Sequence, residues 1–211
     1  MKKRNGLILI FIIVFLYIIF QCIFISFSAD VEFPDIQEHW GKQYVDAVVA
    51  MGSISGFEDG LFHPDEYIST ENFITMIIKG HYVDPFPSKE DPALPYLKKA
   101  LEYGVIDGAD FDASTLPISR LSAARISYMY LNNIWGEADE ENVSVVDQLQ
   151  DYTCRGSYCG YVEQVYTKGI MIGRPGFLFD GDANLTRAEA ATVIRKMLTP
   201  SLRTPPANYL K

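Results

Sequence analysis

The chain has 211 residues, 48% of them apolar, with 18 basic and 27 acidic side chains. Those averages mix two unlike parts: residues 1–29 hold three basic residues, no acid and 21 apolar residues, which leaves 182 residues with 15 basic and 27 acidic side chains, a net charge of −12. That acidity excludes a general nucleic-acid binder, which needs a basic face against phosphate, and an apolar content of about 44% excludes wholesale disorder.

The first element is the leader. Lys2-Lys3-Arg4 precedes an apolar run from Leu7 to Phe20 that resumes at Cys22 and ends near Ser28-Ala29. A basic start, an apolar middle and small residues at the end read as a signal peptide, with a retained membrane anchor as the other reading. Both place the rest of the chain outside the cytoplasm, with membrane contact only through this segment. Outside the cytoplasm the pair Cys154 and Cys159 points to a local disulfide. Two cysteines with no nearby histidine make a poor zinc site, so no metal or other cofactor is expected.

Beyond the leader the sequence repeats itself. Tyr44, Gly52 and Gly56 recur as Tyr96, Gly104 and Gly108, and again as Tyr161, Gly169 and Gly173. In each copy the first glycine stands eight residues after the tyrosine and the second stands four further on. The apolar spacing Tyr44-Val45, Val48-Val49 gives one buried stripe on a short helix, and the first glycine suits a left-handed cap that ends it. A loop follows, and then a second helix start: Ser69-Thr70 in copy one, Ser119-Arg120 in copy two, and in copy three Thr186-Arg187-Ala188-Glu189, which is a capping box. Each unit therefore reads as helix, glycine loop, helix, with units at residues 30–82, 83–133 and 145–199. Units of this size cannot bury their stripes alone, so the three should pack together. Linkers are expected at residues 84–93 and 135–144, and a flexible tail at residues 200–211.

Several blocks carry a family resemblance. Copy one has Phe33-Pro34-Asp35-Ile36, His39-Trp40, Tyr44 and Gly52-Ser53-Ile54-Ser55-Gly56-Phe57 through His63-Pro64; copy three has Gly169-Ile170-Met171-Ile172-Gly173, Phe179 and Leu185 through Ala190. From Phe33 to Leu198 the chain resembles the S-layer homology domain of bacterial cell-surface proteins. The resemblance implies an all-α fold of three helix–loop–helix repeats in a pseudo-threefold arrangement. It also implies non-covalent binding of secondary cell-wall polysaccharide, an anionic and in many members pyruvylated glycan, in grooves between repeats. Carried over by position, the glycan-binding roles fall on Asp35, Trp40, Gly56, Gly108, Arg120, Gly173 and Arg187.

The copies are not equal. Thr70 stands in the arginine slot of copy one, and copy two has Ser88 and Pro92 at the aspartate and tryptophan slots. Copy three keeps Asp151 but has Ser157 at the tryptophan slot. No copy holds the complete set, and a net charge of −12 opposes long-range attraction to an anionic polymer. The alternative reading is a degenerate scaffold for a protein partner at the cell envelope. Asp180-Gly181-Asp182-Ala183-Asn184 imitates half a calcium loop but lacks the required glycine and glutamate, with Leu185 and Ala191 in their places. No catalytic motif is present, and the chain reads as a binding module and not as an enzyme.

Overall fold

The computed structural model describes residues 32–81, 91–152 and 158–207; the leader, most of the first expected linker and Cys154 lie outside the described residues. Seven helices form among the described residues: α1 (Lys42–Ala50), α2 (Thr70–His81), α3 (Leu94–Glu102), α4 (Gly108–Asp112), α5 (Arg120–Asn133), α6 (Cys159–Thr167) and α7 (Arg187–Leu198). Short 3-10 turns occur at Pro34–Ile36, Ser144–Gln148 and Pro200–Leu202. No strand forms among the described residues, and the protein is all-α.

The repeated glycine spacing has a repeated physical result. Gly52, Gly104 and Gly169 close α1, α3 and α6 with φ of +69°, +65° and +70°. After each, the next N–H reaches back to the helix: Ser53 to Val48, Val105 to Ala100 and Ile170 to Val165, at 2.8–3.0 Å. A β-carbon in that left-handed conformation is strained, so glycine is the residue that stops the helix there. Ser119 and Thr186 cap α5 and α7 through their hydroxyls, and Glu189 completes the capping box.

Closure comes from the segments before the second helices. The Ile118 N–H donates to Ile68 O (3.0 Å), Leu185 to Ile118 O (3.0 Å) and Ile68 to Leu185 O (3.1 Å), a ring with one member from each repeat. All three side chains are buried. A second ring satisfies the helix N-termini: Thr70 donates to Leu116 O, Arg120 to Ala183 O and Arg187 to Glu66 O, each at 2.9 Å. The first N–H groups of a helix have no partner inside it, so each repeat supplies carbonyls to its neighbour. These two rings form the pseudo-threefold arrangement.

Helix packing follows the same cycle. Each repeat's first helix lies against the second helix of the preceding repeat: α3 on α2, α6 on α5, and α1 on α7. The expected units are therefore sequence units, while the tightest packing crosses between them. The shared core holds Ile36, Phe62, Phe73, Ile74, Ile77, Ile126, Tyr130, Ile170 and Ile194. Each such side chain contributes on the order of 1.5–3 kcal/mol by leaving water.

Two expectations about connecting segments change. Residues 200–207 are docked and not a free tail: Arg203 forms a two-pronged ion pair with Glu137 (2.6 and 2.8 Å), and the Thr204 N–H bonds to Gly169 O. The expected acidic linker is held at the same place. Glu137 also pairs with buried Lys168 (3.0 Å), whose ammonium donates to Ala138 O, and the Glu140 N–H donates to Gln164. Acidic residues in a short linker found buried cations, which no local pattern announces. The expected disulfide falls on Cys154, outside the described residues; Cys159 is half-buried and free.

Candidate groove site

The arginines that open α5 and α7 do the same thing in two places. Arg187 donates from Nε to Phe62 O (2.8 Å) and from Nη2 to Ser55 O (3.0 Å), both in the repeat-one loop. Arg120 donates from Nε to Phe179 O (2.7 Å) and from Nη2 to Ile172 O (3.0 Å), both in the repeat-three loop. Each is only 5% exposed, and neither has a carboxylate within ion-pair distance among the described residues. Phe57 and Phe62 face the Arg187 guanidinium, and Phe179 faces that of Arg120. Burial pushes the Arg187 pKa down to about 10; burial, and then Arg174, lowers that of Arg120. Both side chains are structural staples between repeats as well as buried positive charges.

Asp35 and Asp151 are the second repeated device. Asp35 accepts the N–H groups of Phe62 (3.1 Å) and His63 (2.7 Å). Asp151 accepts those of Phe179 and Asp180, both at 2.7 Å. Each carboxylate thus shapes the loop whose carbonyls hold the arginine. Asp35, expected to contact glycan, has its oxygens committed to backbone.

A cavity of about 170 Å³ lies where three repeats meet. Trp40 of repeat one, Arg120 of repeat two and Gly173 of repeat three line it together, so three of the seven expected residues converge. Trp40 is 59% exposed, an apolar ring facing solvent at the rim. Arg174, Glu189 and Lys196 line the same cavity. Arg174 bridges Asp180 (2.6 Å) and Glu189 (3.0 Å). Lys196 is 4% exposed and hydrogen-bonds to the neutral Thr204 Oγ1 (2.9 Å), and burial lowers its pKa. The wall therefore carries three cations and one carboxylate. A chain acidic overall has a cationic pocket.

Sequence reasoning missed Arg174 and Lys196. The signals were present: Arg174 directly follows the second glycine, and Lys196 stands nine residues after Arg187, as Lys79 stands nine after Thr70.

The other expected residues lie elsewhere. A β-carbon on Gly56 would stand 2.1 Å from the Phe33 ring and 2.7 Å from Leu61 O, so Gly56 serves close packing. Gly108 is the first residue of α4, where Asp107 and Asp110 form a capping box that turns the expected glycine loop into helix. At that interface Thr70 donates to Leu116 O in place of an arginine, and Asp110 and Asp107 pair with Arg125. Of the half calcium loop, Asp180 is bound to Arg174.

The S-layer homology domain family matches residues 32–69 and 155–191, the segments that supply Trp40, Gly173 and Arg187. The chain is 24% identical over 187 residues to an amylopullulanase of Thermoanaerobacterium thermosulfurigenes, covering 83% of this chain and 10% of that protein. It is 24% identical over 185 residues to the exoglucanase XynX of Acetivibrio thermocellus, covering 81% of this chain and 16% of that protein. A 46-residue segment is 33% identical to cell surface glycoprotein 1 of Acetivibrio thermocellus, 22% of this chain and 2% of that protein. The chain thus spans a small part of each relative's length, and the enzyme names describe those longer proteins. Two segments of the chain, at either end of its helical ring, are therefore similar to the S-layer homology domain, and the same arginine–carbonyl staple recurs in two repeats.

Proposed function

We propose that this chain binds anionic secondary cell-wall polysaccharide, in particular a glycan bearing a pyruvyl ketal, through the groove lined by Trp40, Arg120 and Gly173. The observation that carries the reading is the charge of that groove. Among the described residues Arg120 and Lys196 are buried cations with no carboxylate at ion-pair distance, held only by neutral carbonyl and hydroxyl oxygens, and a buried charge without a counter-charge is costly. A ligand carboxylate offsets that cost. A guanidinium offers planar donors to such a group, and an indole at the rim offers an apolar face to a sugar ring. The cationic groove also answers the net charge, because binding is decided within a few ångströms and the acidic surface is screened beyond about 10 Å at ordinary salt.

The three interfaces are unequal in this reading. The Trp40 groove has tryptophan, arginine and lysine. Copy two has Pro92 where the tryptophan slot falls, and at the third interface Arg125 is already paired with Asp110. One principal site per chain follows.

The test incubates purified protein with cell-wall sacculi before and after acid removal of the wall polymer. Wild-type protein sediments with intact sacculi only, and Trp40→Ala weakens this about tenfold while leaving the melting temperature unchanged, since the ring is largely exposed. Equal binding to both preparations, or to neither, refutes the proposal.

A further inference from the structure

A second cavity, of about 450 Å³, adjoins the first. The two share Ile172, Gly173 and Arg174 as a common wall, and at Gly173 that wall has no side chain. The second cavity's remaining walls come from Gln148 and Tyr166, from the loop at Phe177, and from the docked C-terminal segment through Thr204, Pro206 and Ala207.

Its chemistry differs from that of the first. Gln148 donates from Nε2 to the Tyr166 hydroxyl (2.6 Å), which fixes the amide and leaves Oε1 buried with no hydrogen-bond partner among the described residues. A buried acceptor without a donor costs about 1–3 kcal/mol. The Phe177 ring is 47% exposed, on a loop residue held at φ +55°. An exposed aromatic ring and a proline wall suit the apolar face of an uncharged sugar.

The docked segment ties the cavities together. Thr204 lines the second and bonds Lys196, which lines the first. Its position depends on Gly169, where a β-carbon would stand 2.3 Å from the Thr204 and Pro205 backbone. The helix-stopping glycine of repeat three thus also admits the C-terminal segment.

We infer that the second cavity is a subsite for the neighbouring, uncharged sugar of the same glycan chain, built in part by residues 204–207. The ligand passes over Gly173 from the cationic cavity to the aromatic one. This rests on the glycan-binding reading above and adds a length requirement to it.

The experiment is calorimetric titration of the full chain with wall polysaccharide released by enzymatic digestion, which leaves ketals intact, and size-fractionated into single repeating units and longer fragments. Wild-type protein is expected to bind longer fragments about tenfold more tightly than single units, the scale of one aromatic–sugar contact. Phe177→Ala should collapse that ratio toward one, as should a chain ending at Thr204, which keeps the Arg203 and Thr204 contacts. Should the shortened chain misfold, the exposed Phe177 variant decides alone. Wild-type affinity independent of fragment length, or a ratio preserved in Phe177→Ala, overturns the second subsite while leaving the first. No binding of any fragment by wild type overturns both.

Discussion

Replacing Arg187 tests whether a residue marked as a glycan contact is first a structural staple. In Arg187→Ala two charge-assisted hydrogen bonds vanish, to Phe62 O at 2.8 Å and Ser55 O at 3.0 Å. The Phe62 side chain is fully buried and the Arg187 Nε bond lies in the interior, so losing it should cost about 2 kcal/mol. The Ser55 bond lies nearer solvent and water can replace part of it, so about 1 kcal/mol is expected there. The Phe57 and Phe62 rings lie 4.6 and 4.4 Å from the guanidinium carbon. Losing both contacts adds about 1 kcal/mol. The loss totals roughly 4 kcal/mol, a large part of a domain's stability. Arg187→Lys keeps the charge but not the fork, and should lose about half as much. Urea unfolding followed by circular dichroism measures both. A loss below 1 kcal/mol in Arg187→Ala refutes the staple, as would a lysine variant worse than alanine.

Asp35→Ala and Asp151→Ala should each cost about 2 kcal/mol in the same assay by releasing two backbone N–H groups, and their effects should add because they act on different loops; indifference in either identifies that loop as held by something else. The Glu137 clasp should be acid-sensitive. Burial raises the Glu137 pKa, but hydrogen bonds from Arg203 and Lys168 outweigh it and hold the group below its usual 4.5. The folded state thus binds the proton less tightly than the unfolded chain, so the clasp's stabilisation is present above pH 4.5 and is lost as pH falls through the folded value. Melting temperature against pH should therefore fall less steeply below pH 4.5 in Glu137→Gln than in wild type, and identical acid limbs contradict this.

What the sequence displayed was local. Three tyrosine–glycine–glycine blocks and two hydroxyl caps were visible because helix stops and starts need particular residues at fixed offsets. The crossed packing was not: the stripe on α1 shows that one face is buried, not that it lies on α7. Arg120 and Arg187 were identifiable as special residues, yet their carbonyl partners lie 52 to 132 positions away. Gly108 misled because Asp107 and Asp110 turn its loop into α4, a capping box the repeat pattern obscured. The groove's lysine was hidden for a different reason: burial beside Thr204 depends on the docking of a segment that reads as an unstructured tail.

The packing of α1 on α7 has a consequence for how the molecule comes into being. These helices are separated by more than 130 residues of chain, so the contact that completes the domain joins nearly its first and last elements. A chain emerging in order can pair α2 with α3, and α5 with α6, but it cannot seat α1 until α7 has appeared. The early helix must wait with its apolar stripe uncovered, and closure pays the full loop entropy in one late step. Folding speed should therefore respond most to changes at the α1–α7 seam, and partially made chains should be the ones at risk of association with one another.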